Sequence, residues 1–129
     1  MAPIAVSLDH AEPAVGIVGL IGEHDAYSAN RLAGELGLLL DSRTHVVVDL
    51  RDATFIDSQT LSVLLTARTT ADDRSLGFVV VLSANDYTQV HRILDMTGLV
   101  SSFVTRPTVD DAAVAARAQL ADPHRVGIA

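Results

Sequence analysis

A single α/β domain, with a mixed sheet of four to five strands and about four helices, is the architecture this chain encodes. Three features lead there. The runs Val46-Val47-Val48 and Val79-Val80-Val81-Leu82 are short, β-branched and apolar throughout, as in strands covered on both faces. Between such runs the apolar period repeatedly switches to that of a helix, the pattern of crossovers between parallel strands. The length of 129 residues suits one hydrophobic core.

The first strand is expected over Ile4 to Leu8 and the second over Val15 to Ile21. Only His10 to Ala14 links them, too short for a crossover, so the two form an antiparallel pair and the sheet is mixed. Leu32, Leu36, Leu39 and Leu40 then fall at i, i+4, i+7 and i+8, one stripe of a helix from about Ala26 to Leu40. His45 to Leu50 is the third strand. After Ser58, the residues Leu61, Leu64 and Leu65 mark a second helix, with Arg68 at the edge of its stripe. Leu76 to Leu82 is the fourth strand, and Val90, Ile93 and Leu94 mark a third helix that stops at Gly98. Ser102 to Thr105 supplies a short fifth strand. Pro107 then precedes a last helix marked by Val109, Ala112, Ala113, Ala116 and Leu120. The domain is expected to occupy residues 1–121, with 122–129 as a frayed tail.

Composition narrows the function. Net charge is −7, which disfavours DNA, RNA and anionic membranes as partners, and all nine cations are Arg. The absence of Lys excludes a P-loop lysine and Schiff-base chemistry. The absence of Cys excludes disulfides, thiolate nucleophiles and cysteine-held zinc. Met1 to Asp9 lacks the features of a signal peptide, and no apolar run is long enough to span a bilayer, so a cytoplasmic protein without membrane insertion is expected. The five histidines are scattered without metal-ligand spacing; no cofactor is implied, and His24 and His45 read as surface or strand-edge residues. Asp72-Asp73, Asp110-Asp111 and Glu12 read as solvated loops and helix starts.

The informative stretch is Val48-Asp49-Leu50 through Ile56-Asp57-Ser58-Gln59-Thr60-Leu61. A buried strand runs out, a short polar loop follows, and Asp57-Ser58 opens a helix. First-turn N–H groups lack intrahelical partners and the helix dipole is positive there, so a phosphate on Ser58 could be accommodated. A plain N-cap at Asp57 or Ser58, worth about 1 kcal/mol, accounts for the same residues. A serine hydrolase would need Gly-x-Ser-x-Gly, and neither glycine is present around Ser58. A phospho-receiver would place its acceptor near Asp49, but it also needs a lysine that this chain lacks.

This segment resembles the phosphorylation loop of the STAS domains of anti-sigma factor antagonists, in which a strand ending Val-Asp-Leu leads to a hydrophobic-Asp-Ser motif and a helix. Gly22-Glu23-His24-Asp25 resembles the Gly-Glu-hydrophobic-Asp turn before that family's first helix, with His24 in place of the apolar residue. Gln59-Thr60 stand where the family commonly has Ser-Gly. The resemblance implies a non-enzymatic partner switch. The unphosphorylated protein binds an anti-sigma factor with serine kinase activity, releasing a sigma factor, and phosphorylation at Ser58 ends the interaction until a phosphatase reverses it. Thr60 is a second candidate acceptor, and Asp25, Asp57, Ser58, Gln59 and Thr60 are the expected partner-binding residues. The added phosphate would lie beside Asp57 and near Asp52. The alternative is a STAS subunit of a lipid-transport or stress-signalling complex, which docks without phosphorylation.

Overall fold

The computed structural model describes residues 3–121, so the tail expected over 122–129 lies outside the described residues. Five strands form the main sheet: β1 (Ile4–Asp9), β2 (Val15–Leu20), β4 (His45–Asp49), β6 (Phe78–Val81) and β7 (Val104–Arg106), in the order β1-β2-β4-β6-β7. β1 is antiparallel to β2 and every other pairing is parallel, so the mixed sheet stands as expected. The helices are α1 (Ala26–Asp41), α2 (Ser58–Asp73), α3 (Gln89–Met96) and α4 (Val109–Ala121).

The strands of the sheet interior alternate their side chains between two cores. Val46, Val48, Phe78 and Val80 join Val18 and Leu20 beneath Leu32 and Leu36 of α1, Leu64 of α2 and Leu94 of α3. Val47, Val79 and Val81 face the other way onto Ala112, Ala113 and Ala116 of α4. That second layer is thin because α4 buries alanines. The approach is closest at Gly77, where an added Cβ would stand 2.0 Å from the carbonyl oxygen of Ala116.

Several expectations need correction. A second, two-stranded sheet pairs β3 (Gly22–His24) with β5 (Ala53–Ile56) in parallel, within stretches that read as turn and loop. The fifth strand of the main sheet starts at Val104, because Leu99–Ser102 form a 3-10 turn. His24 and His45 are not surface residues: they are 0% and 1% exposed, and each has a polar partner that allows its burial. The His45 Nδ1 accepts the Gly77 N–H at 2.9 Å, tying the start of β4 to the turn before β6. Among the acids, Asp110 and Asp111 do occupy the first turn of α4, whereas Asp72 and Asp73 close α2, where Asp72 pairs with Arg68 at 2.8 Å.

Candidate functional site: two helix N-termini held side by side

The small sheet positions the site. In the β3–β5 register His24 stands opposite Ile56, and the residue after each strand, Asp25 or Asp57, is the N-cap of the helix that follows. Two strand-to-helix junctions are thereby set in parallel, with the N-termini of α1 and α2 at one end of the domain. The Asp25 carboxylate accepts the Tyr27 N–H at 3.0 Å and the Ser28 N–H at 3.3 Å, and Ser28 Oγ accepts the Asp25 N–H in return. Asp57 Oδ1 accepts the Thr60 N–H at 2.8 Å. Each cap is worth about 1 kcal/mol and fixes the direction in which its helix departs.

One carbonyl joins the two junctions. His24 O accepts the Asp57 N–H at 3.1 Å and the Thr60 hydroxyl at 3.3 Å. On its far side β5 is held by Gln89, the first residue of α3, whose amide accepts the Ile56 N–H at 3.0 Å and donates to Ile56 O at 3.1 Å. This side chain does for β5 what a neighbouring strand would do. At the base of the loop Asp49 takes both the backbone N–H and the guanidinium of Arg51, at 2.9 to 3.1 Å. That pairing holds the Arg51 guanidinium above its usual range.

Beneath Asp25 lies His24. Its Nε2 donates to Ile21 O at 3.1 Å, which leaves Nδ1 facing the Ser28 hydroxyl at 3.1 Å. Burial is the largest influence on this imidazole and lowers its pKa below the ordinary 6.5, against opposing contributions from Ile21 O and Asp25.

The sequence-derived residues divide sharply by exposure. Ser58 opens α2 and is exposed, as are Gln59 and Asp25, while Asp57 is half-buried. Thr60 is 0% exposed and its hydroxyl is committed to His24 O, so the expectation of a second acceptor and contact residue there is withdrawn: a kinase or partner would first have to open the first turn of α2. Asp52 is also displaced from the site. It precedes β5, at the opposite end of that strand from Ser58, and its carbonyl accepts the Gly22 N–H at 2.9 Å. The acid brought alongside Asp57 is Asp25.

Three contributors escaped the sequence reading. Tyr27 is 71% exposed and Phe55 40% exposed, flanking the two junctions, and Gln89 clamps β5. The aromatics had a weak signal: Phe55 adjoins Ile56-Asp57-Ser58, and Tyr27 lies two residues after Asp25. Gln89 had none, since its role depends on a strand 33 residues away.

A family model described as the STAS domain matches residues 7–112. The chain belongs to the STAS domain family. Among solved structures, this STAS domain is similar to an anti-sigma factor antagonist from Mycobacterium paratuberculosis, with 28% identity over 89% of this chain and 95% of that one and a TM-score of 0.73. It shares the fold of the Bacillus cell fate determinant SpoIIAA in the phosphorylated form, at 15% identity over 85% and 97% of the two chains and a TM-score of 0.61. It also shares the fold of a sulfate transporter family protein from Wolinella succinogenes, at 19% identity over 84% and 88% and a TM-score of 0.63. No curated protein sequence matches the chain. Among the described residues no helix is long and apolar enough to cross a membrane.

Proposed function

We propose that this STAS domain is an anti-sigma factor antagonist that binds an anti-sigma factor with serine kinase activity and is released by phosphorylation of Ser58. The observation that carries the reading is the exposure of Ser58 at the first position of α2, beside the N-terminus of α1. The similarity to the mycobacterial antagonist supports the general role, and SpoIIAA supplies a structure of the same fold in a phosphorylated form. No chemistry on a substrate is assigned to the site; its action is binding.

The electrostatics favour a switch. Exposed Glu23 and Asp25 and half-buried Asp57 already make the surface acidic, which suits a basic partner surface. A phosphate adds about −1.5 to −2 charges and three acceptor oxygens at Ser58. The N–H groups of the first turn of α2 can hold it within the domain, while any partner that had closed over a neutral hydroxyl meets bulk and unmatched charge. Like-charge or unpaired-charge burial at an interface costs several kcal/mol, which corresponds to about a hundredfold or more in affinity.

The test is affinity capture from native lysate with wild-type, Ser58→Ala and Ser58→Asp baits. Capture of an ATP-binding anti-sigma factor by the first two and its loss with the third is the expected result. Equal recovery of transport or scaffold proteins by all three baits would overturn the switch and favour the docking-subunit reading, for which the Wolinella neighbour is the structural precedent.

A further inference from the structure

The two edges of the main sheet are built differently. The β7 edge is three residues long, follows a 3-10 turn and ends at Arg106. The β1 edge runs six residues, and Ile4-Ala5-Val6-Ser7-Leu8 contains no charge, no proline and no break in its register against β2. Natural edge strands are usually guarded by just those devices, because an open edge is a template for another strand.

The register shows which backbone groups are open. Ile21 donates its N–H to Pro3 O, and residue pairs such as Ala5 with Gly19 and Ser7 with Ile17 follow at two-residue intervals. In an antiparallel ladder these are the hydrogen-bonded positions, so Ile4, Val6 and Leu8 direct their N–H and C=O groups away from β2. Pro3 occupies an inward position, and its missing N–H therefore does nothing to protect the outer edge. Val6 and Leu8, 42% and 47% exposed, share the sheet face of buried Ile4.

We infer that β1 pairs antiparallel with β1 of a second copy of this chain, about a two-fold axis at Val6. The strand is self-complementary there. The axis sets Val6 against Val6 and Ile4 against Leu8, giving about six backbone hydrogen bonds and one continuous apolar strip across two sheets. Asp9, the only charged residue of the strand, falls opposite Pro3 rather than opposite its own copy, and its carboxylate already pairs with Arg117 at 3.3 Å. A protein of net charge −7 thus meets itself along the neutral strip of its surface. A single strand pair buries little area, so the dimer is a weak one, with a dissociation constant on the order of 10 to 100 µM.

Sedimentation equilibrium from about 5 µM to about 1 mM tests this. Wild type should pass from monomer to dimer over that range. Val6→Lys and Val6→Glu place like charges at the axis and should each weaken dimerisation at least tenfold, and an equimolar mixture of the two should restore it. The mixture separates a symmetric Val6 contact from simple misfolding. A wild-type monomer at about 1 mM overturns the inference and leaves the edge to an extended segment of another protein. A mixture that behaves as its separate components, or a dimer indifferent to both substitutions, overturns the axis at Val6.

Discussion

Gln89 offers the sharpest test of how the site is held. Its amide makes two hydrogen bonds with the backbone of Ile56, one residue before the Asp57 cap. At about 0.5–1.5 kcal/mol each, Gln89→Ala should cost about 1–3 kcal/mol, because it leaves both Ile56 groups without their partner. Gln89→Glu is more discriminating. An ionised carboxylate can still accept the Ile56 N–H, but its second oxygen confronts Ile56 O, so at pH 7 this variant should be no more stable than the alanine. Once protonated, the acid copies the amide and donates to Ile56 O. The introduced Glu should therefore have a folded-state pKa above the unfolded value of about 4.3. Its compensating stability is present below that unfolded value and lost as pH rises through the folded one. Urea titrations at pH 7 and pH 5 read the difference, since 2 kcal/mol corresponds to about 1 M in midpoint for a small domain. Comparison with wild type at each pH cancels other titrations. A Gln89→Glu midpoint equal to wild type at pH 7, or a gap that does not narrow at pH 5, would refute the clamp.

Other consequences follow from individual contacts. His24 is buried with its pKa lowered from 6.5, so below that value the unfolded chain takes up a proton that the folded chain refuses. Stability from this residue is full above about pH 6.5 and falls as pH drops towards the folded value, by at most about 1.4 kcal/mol per pH unit; His24→Leu should flatten that part of the urea-midpoint profile. Gly77→Ala should destabilise by about 3 kcal/mol or more, because the Ala116 backbone cannot retreat, whereas Gly16→Ala meets only the Leu39 side chain at 2.6 Å and should cost less in parallel thermal melts. Thr60→Val removes a buried hydroxyl from a carbonyl that keeps its Asp57 partner, so a loss of about 1 kcal/mol is expected. Intact-mass analysis from native cells should show the phosphorylated form retained in Thr60→Val and absent in Ser58→Ala.

The main sheet and its helices were legible because their signals are local and repeated. Val46 to Val48 and Val79 to Val81 announce strands covered on both faces, and the leucines of α1 fall on one stripe whatever packs against them. β3 and β5 carry no such signal. They span three and four residues, include exposed Glu23, Thr54 and Phe55, and exist as strands because they pair with each other across 31 or more residues of chain. His24 was misplaced for the same reason. Next to Glu23 and Asp25 a histidine reads as surface, and only the β3–β5 pairing shows that it points inward beneath the capping box.

At Asp57-Ser58, where capping and regulation competed for the same two residues, the structure assigns the cap. The cap belongs to Asp57, whose carboxylate takes the Thr60 N–H, and the α1 cap belongs to Asp25 in the same way. Because β3 and β5 run in parallel, both caps face the same end of the domain and Ser58 becomes the first residue of α2 beyond its own cap. Capping by Asp57 and the proposed switch at Ser58 therefore call on adjacent residues and do not compete for one. Asp57 fixes the helix, and the exposed hydroxyl next to it can acquire or lose charge without removing any contact that holds the fold together. A switch placed on Thr60 could not do this, because its hydroxyl is part of the link between the two junctions. Under the proposed switch, phosphorylation at Ser58 would change what the surface can bind while leaving the contacts of the Asp57 cap in place.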